Sequence, residues 1–170
     1  MLTPQEIKEN NRYCEMAMDY VKELSAMNGD ELPNPIDLNT KYISYIFDPN
    51  IVVKKLYKDS KFVGFIIFES LIWQTEYPPF EWYVMETYVK PEYRKQGLVS
   101  KALKDFTVDH SVKSYGYVVL NENDYADNFW KNRFKELGFK VERKDDYFKQ
   151  FDGCKGYIAK CSQKSSNLYP

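Results

Sequence analysis

One histidine, three cysteines and seven glycines are the whole supply of those residues in this 170-residue chain. His110, the single imidazole, falls late on a helical stretch, where a packed or half-exposed role is ordinary and a catalytic one the exception. Cys14, Cys154 and Cys161 are odd in number and far apart, which fits neither a disulfide framework nor a metal-ligand pattern. Reduced thiols and a cytoplasmic location are the expectation, with no metal. Charge of one sign is also missing: 24 basic against 25 acidic residues leave a net charge of −1. No global field therefore draws the protein to nucleic acid or to a membrane surface. No apolar run reaches membrane-spanning length, and the opening Met1-Leu2-Thr3-Pro4-Gln5-Glu6 lacks the basic flank and apolar core of a signal peptide.

Aromatic residues are plentiful, at 17% with 15 tyrosines. They suit a thick aromatic core or, alternatively, a stacking cleft. The length suits one domain, burying roughly 70% of its unfolded surface. Thr3, Pro4 and Glu6 form a capping box, and Tyr13, Met16, Ala17, Tyr20, Val21 and Leu24 make an apolar stripe, which predicts a helix over 4–26. Asp37 is read as the cap of a second helix reaching about Phe47. Ile51–Tyr57 and Phe62–Trp73 read as a hairpin, followed by a strand from Trp82 to Val89. A helix from Leu98 to about Ser114 follows, then a break at Gly116 and a short strand Tyr117–Leu120. A helix carrying Ala126, Phe129, Trp130, Phe134 and Leu137 ends at Gly138, and Phe139–Glu142 and Gly156–Lys160 are the last strands.

The densest chemistry lies in Val89-Lys90-Pro91-Glu92-Tyr93-Arg94-Lys95-Gln96-Gly97-Leu98-Val99-Ser100. A strand delivers its C-terminal end to a short turn, and a helix begins there with Val99, Ala102, Leu103, Phe106 and His110 on one face. Free backbone N–H groups and the positive end of the helix dipole make such a place an anion site, usually for phosphate. Arg94, Lys95 and Gln96 add donors.

The lead-in Val-x-Pro-Glu-Tyr-Arg-x-x-Gly-Leu-x-Ser resembles the cofactor motif of the GNAT superfamily of N-acetyltransferases, Arg/Gln-x-x-Gly-x-Gly/Ala. Arg94, Gln96, Gly97 and Leu98 fall on matching positions, and Val99 stands where the family has Gly or Ala. Leu137-Gly138-Phe139 is a second landmark. The resemblance implies an α/β (α+β) three-layer fold, a mixed twisted sheet of about six strands flanked by about four helices. It covers residues 1–161 as a single domain, with 162–170 a polar tail. The family's usual first strand has no counterpart. The implied cofactor is acetyl-coenzyme A, its pyrophosphate on the amides of the loop, with Val89, Arg94, Lys95, Gln96, Gly97, Leu98, Val99 and Ser100 around it.

Glu86, three residues before Val89 on a strand expected to be covered, is the first choice of general base. A partnership with a nearby Lys, Arg or Tyr is its structural alternative, and Glu81 is a second choice at a strand end. The family's usual general acid is a Tyr four residues before the Gly-Phe pair. That position is Phe134 here, a cofactor contact without a hydroxyl. Tyr125 could supply a hydroxyl from the same helix. Asn123, or Asn121, could bind the pantetheine arm or cap the helix.

The implied reaction is acetyl transfer from acetyl-CoA to a primary amine by direct attack in a ternary complex. Alternatives are a catalytically silent coenzyme A-binding module and an acetyltransferase acting on protein or nucleic acid, the latter disfavoured by the charge balance. Acidic loop residues Asp30, Glu31, Asp145 and Asp146 suit a cationic acceptor, small molecule or peptide. The last strands offer an edge for a homodimer.

Overall fold

Thr3 opens the first helix, α1 (Pro4–Asn28), as the capping box predicts: its hydroxyl accepts from the Glu6 amide at 3.2 Å, and Glu6 Oε2 accepts from the Thr3 amide at 2.7 Å. The computed structural model describes residues 3–72 and 79–162. The expected strand end at Trp73, Pro78 and the tail 163–170 lie outside the described residues. The second helix, α2 (Pro35–Phe47), is capped by Asn34 rather than by Asp37, the Asn34 side chain accepting from the Ile36 amide at 2.8 Å. Pro35 explains the correction: its fixed φ suits the first helical position, so the cap is the residue just before it. Asp37 sits in the first turn, where its charge favours the dipole.

β1 (Ile51–Lys58) and β2 (Lys61–Ser70) follow, joined through Asp59 and Ser60 at φ 48° and 62°. Two consecutive left-handed residues are what a tight two-residue hairpin turn requires. Then come β3 (Trp82–Val89), a 3₁₀ turn (Pro91–Tyr93), α3 (Leu98–Asp109), β4 (Ser114–Leu120), α4 (Asp124–Glu136), β5 (Phe139–Arg143), a second 3₁₀ turn (Asp145–Phe148) and β6 (Cys154–Cys161). Boundaries differ from expectation at several places: β2 already ends at Ser70, short of the expected Trp73, with Leu71 and Ile72 outside the strand. α3 stops at Asp109, with Ser111 left-handed at φ 50°, and Gly116 lies inside β4 rather than breaking the chain. A Cβ at Gly116 would collide with the Phe80 ring, so the glycine is there for close packing, not for a turn. Gly138 does end α4 with φ 83°.

The six strands are hydrogen-bonded in the order β1-β2-β3-β4-β6-β5, a mixed sheet. β3 and β4 run parallel, with Trp82 opposite Tyr115, while β6 pairs antiparallel with β4 and with β5. Among the described residues no strand precedes Ile51, and no helix is long and apolar enough to cross a membrane.

Among the described residues, packing forms two compact units: 3–68 with 86–99, and 69–72 and 79–85 with 100–162. The first unit is centred on edge-to-face rings. Tyr13 meets Phe65 at 5.4 Å and Tyr42 at 6.0 Å between centroids, and Tyr20 meets Phe65 at 5.9 Å. In the second, Phe134 lies between Tyr117 at 5.0 Å and Tyr115 at 5.1 Å, and a separate cluster gathers Leu71, Phe80, Phe148 and Ile158. Among the described residues six tyrosines, Tyr13, Tyr42, Tyr88, Tyr115, Tyr117 and Tyr157, are buried in these cores.

Candidate active site

The loop from β3 to α3 takes its shape from two left-handed residues, Lys95 at φ 62° and Gly97 at φ 75°. An added Cβ on Gly97 would meet no heavy atom within 4 Å, so the backbone angle and not crowding requires glycine there. The first turn of α3 carries no acidic residue, which leaves the dipole's positive end uncompensated by the helix itself. Lys95 adds an exposed ammonium. Together these features fit an anionic group held by backbone N–H donors from Gln96 to Ser100. Val99 and Ser100 are half-buried in that turn.

Arg94 is used differently from the expectation that it lends donors to an anion. Its Nε donates to the Val89 carbonyl at 2.8 Å, and its Nη2 donates to both oxygens of Glu23 at 2.6 Å. The guanidinium also lies 5.8 Å from the Tyr88 ring centroid. Arg94 therefore ties the end of β3 to α1, a positioning role, with planar geometry suited to a two-oxygen partner. Gln96 likewise turns back, Nε2 donating to the Glu92 carbonyl at 3.3 Å. The Arg94 and Gln96 side chains are thus turned to protein groups, and the backbone amides are the donors this loop can present to an anion.

Glu86 is 14% exposed, and both of its oxygens are engaged. Lys41 Nζ donates to Oε1 at 2.9 Å, and the Tyr42 hydroxyl donates to Oε2 at 2.7 Å. Burial, and then the charge and hydrogen bond of Glu86, push the Tyr42 phenol far above its usual pKa, so it stays a donor. Burial works to lower the Lys41 pKa, but the charge and hydrogen bond of Glu86 and a hydrogen bond with Tyr45 outweigh it, and the net shift is upward. Sequence pattern alone marks neither Lys41 nor Tyr42 as functional. The signal available is a lysine and a tyrosine four apart, Lys41 and Tyr45, beside the buried stripe of Leu38 and Tyr42.

The remaining predicted residues lie in the second unit and are placed as follows. Phe134 is 0% exposed, enclosed by Tyr115, Tyr117, Trp130 and Phe139. Tyr125 is 66% exposed near the start of α4. Asn123 caps α4, its side chain accepting from the Ala126 amide at 2.9 Å. Glu81 accepts from the Lys113 amide at 2.7 Å and so holds a turn. His110 packs on the rings of Phe106 and Trp82 at 4.2 and 5.3 Å. Asp145 is engaged by Arg143 at 2.7 Å and by the Gly156 amide at 2.9 Å.

Comparison with known proteins adds a family. The model of the acetyltransferase (GNAT) family matches residues 19–139. Among solved structures, an acetyltransferase from Thermus thermophilus is 20% identical with TM-score 0.62, over 92% of each chain. The PaiA N-acetyltransferase of Thermoplasma acidophilum, solved in complex with coenzyme A, is 17% identical with TM-score 0.60, over 91% of this chain and 94% of that one. Tetrahymena GCN5 is 16% identical with TM-score 0.57, over 94% and 91%. At such identities these likenesses speak for the fold, which agrees with the mixed six-stranded sheet and four helices. No curated protein matches the sequence.

Proposed function

Because this chain belongs to the acetyltransferase (GNAT) family, we propose that it transfers an acetyl group from acetyl-CoA to a primary amine in a ternary complex. The observation that carries this reading is the β3–α3 loop, where Lys95 and Gly97 are both left-handed before a helix start free of acidic residues. Gln96, Gly97, Leu98, Val99 and Ser100 would offer their backbone N–H groups to the pyrophosphate. Val89 would meet the pantetheine arm through its backbone, with Arg94 fixing that strand end through Glu23. Bound acetyl-CoA supplies an acetyl thioester as electrophile.

Glu86 would accept a proton from the acceptor's ammonium, directly or through a water, leaving the neutral amine as nucleophile. To do so it must exchange one of its two present partners, and Lys41 is the more exposed of them. Asn123 keeps its amide NH₂ for the pantetheine arm while its oxygen caps α4. Tyr125 is the hydroxyl proposed to protonate the departing thiolate. The expected compartment is the cytoplasm.

One observation favours a second reading. Position 134 has no hydroxyl and is enclosed, so a coenzyme A-binding module with weak or no turnover would leave the same fold. A thiol-release assay with acetyl-CoA over a panel of amines separates the two. Release that depends on one class of amine supports the enzyme and identifies its acceptor. Binding of acetyl-CoA without release on any small amine, peptide or nucleic acid supports the silent module.

A further inference from the structure

Lys41 does in this structure what an acceptor amine would have to do. Its Nζ donates to Glu86 Oε1 at 2.9 Å. The same ammonium lies 5.2 Å from the centroid of the Tyr42 ring and 5.6 Å from that of Tyr45, within cation–π range of both. Its side chain is 45% exposed, so packing does not lock it in place. Glu86, in contrast, is nearly covered, and its other oxygen is already held by Tyr42. An ammonium group approaching Glu86 at Oε1 therefore meets Lys41 in its place. Tyr13, fully buried in the same unit, keeps a hydroxyl with no hydrogen-bond partner, and the Glu86 charge is second only to burial in pushing its pKa up. Hydrogen-bonding capacity is thus left unused near the same carboxylate.

We propose that the Glu86 carboxylate and the faces of Tyr42 and Tyr45 form a subsite for a primary alkylammonium group. Lys41 occupies this subsite as an internal substitute, and the acceptor enters by displacing it. The proposal rests on the reading of Glu86 as facing the acceptor. It narrows the acceptor to amines that are charged before they bind. A neutral or anionic group cannot take the place, because removing Lys41 without a replacement leaves a nearly buried carboxylate uncompensated. Lys41 then sets the apparent affinity: the acceptor binds only the fraction of molecules in which the lysine has swung out.

The probe is n-butylammonium, which is the lysine side chain itself, with 1-butanol as the uncharged control of equal stem. Wild type, Lys41→Met and the double variant Lys41→Met/Glu86→Gln are titrated without any acyl donor, by chemical-shift changes of the tyrosines and by thermal shift. Lys41→Gln repeats the test in case Met disturbs α2. Lys41→Met is expected to bind n-butylammonium about tenfold more tightly than wild type. Its melting temperature should rise with the ligand, the double variant should lose both effects, and 1-butanol should distinguish none of the three proteins. Equal affinity in wild type and both Lys41 variants, or equal binding of 1-butanol, overturns the subsite. A gain in Lys41→Met with no acyl transfer to any amine would sink the proposed reaction and leave the subsite standing. Transfer to an amine with no such gain would do the reverse.

Discussion

Two carboxylates in this molecule sit almost out of water beside lysines and tyrosines, and they are held in different ways. Glu86 has one lysine, itself half-exposed and borne on another element, and one tyrosine; each of its oxygens has one partner. Asp127, in the first turn of α4, has two lysines: Lys131 at 2.9 Å, one helical turn on, and Lys155 of β6 at 3.6 Å, with Lys155 only 16% exposed. Lys131 is further seated over the Tyr157 ring at 4.8 Å, and Lys155 also reaches Asp124 at 3.2 Å. Both lysines face Asp127 through Oδ2, so the departure of one leaves the other in place. Glu86 Oε1 can be freed by the movement of one flexible side chain, Lys41, while Tyr42 keeps Oε2. The lesson is that burial of a carboxylate does not by itself mark a working group; the exchangeability of its partner does.

That contrast can be broken most forcefully at Glu86. Glu86→Gln keeps the shape and the Tyr42 contact but removes the proton acceptor. Turnover on the best amine should fall by about two to four orders of magnitude, with the melting temperature little changed. Unimpaired turnover would make Glu86 as structural as Asp127. Asp127→Asn should show the opposite profile, with turnover kept and stability reduced by about 2 kcal/mol in denaturant unfolding, since two partly buried lysines lose their counter-charge. A change in turnover larger than that in stability would erase the distinction.

The smallest effect is in the acid limb of stability. Burial works to raise the Asp127 pKa, but hydrogen bonds from Lys131 and Tyr157 and the charges of Lys131 and Lys155 outweigh it, so the carboxyl titrates below its ordinary value of 3.8. A depressed folded-state pKa stabilises fully above the unfolded value and loses that contribution as pH falls through the folded one. Wild type should therefore lose stability on acidification below about pH 4, and Asp127→Asn should lose less over the same interval. Parallel acid limbs in the two proteins would contradict this.

Local rules make much of the fold legible. The Thr3–Glu6 capping box, the left-handed Gly138 and the strand–turn–helix around Gly97 each depend on residues within a few positions of one another. What escapes the sequence depends on distant partners. Gly116 reads as a breaker until Phe80 is known to lie against it. Arg94 reads as a donor beside the loop, but the sequence does not show that Glu23, 71 residues away, accepts both bonds of its Nη2. Glu86 stands out on its strand, but the Lys41 that holds it lies 45 residues earlier, on a different element. Phe134 falls on a motif position, yet the rings of Tyr115 and Tyr117 enclose it.

Calorimetric titration of acetyl-CoA and free coenzyme A into three proteins, wild type, Gly97→Asn and Gly97→Glu, decides whether the amides from Gln96 to Ser100 hold the pyrophosphate of acetyl-CoA. Asn tolerates the left-handed angle and adds no charge, while Glu would place a carboxylate where an anion is expected. Expected are micromolar binding to wild type, weakened but measurable binding to Gly97→Asn, and none to Gly97→Glu in a protein that still melts cooperatively. Equal affinity in all three would mean that the loop does not hold the cofactor.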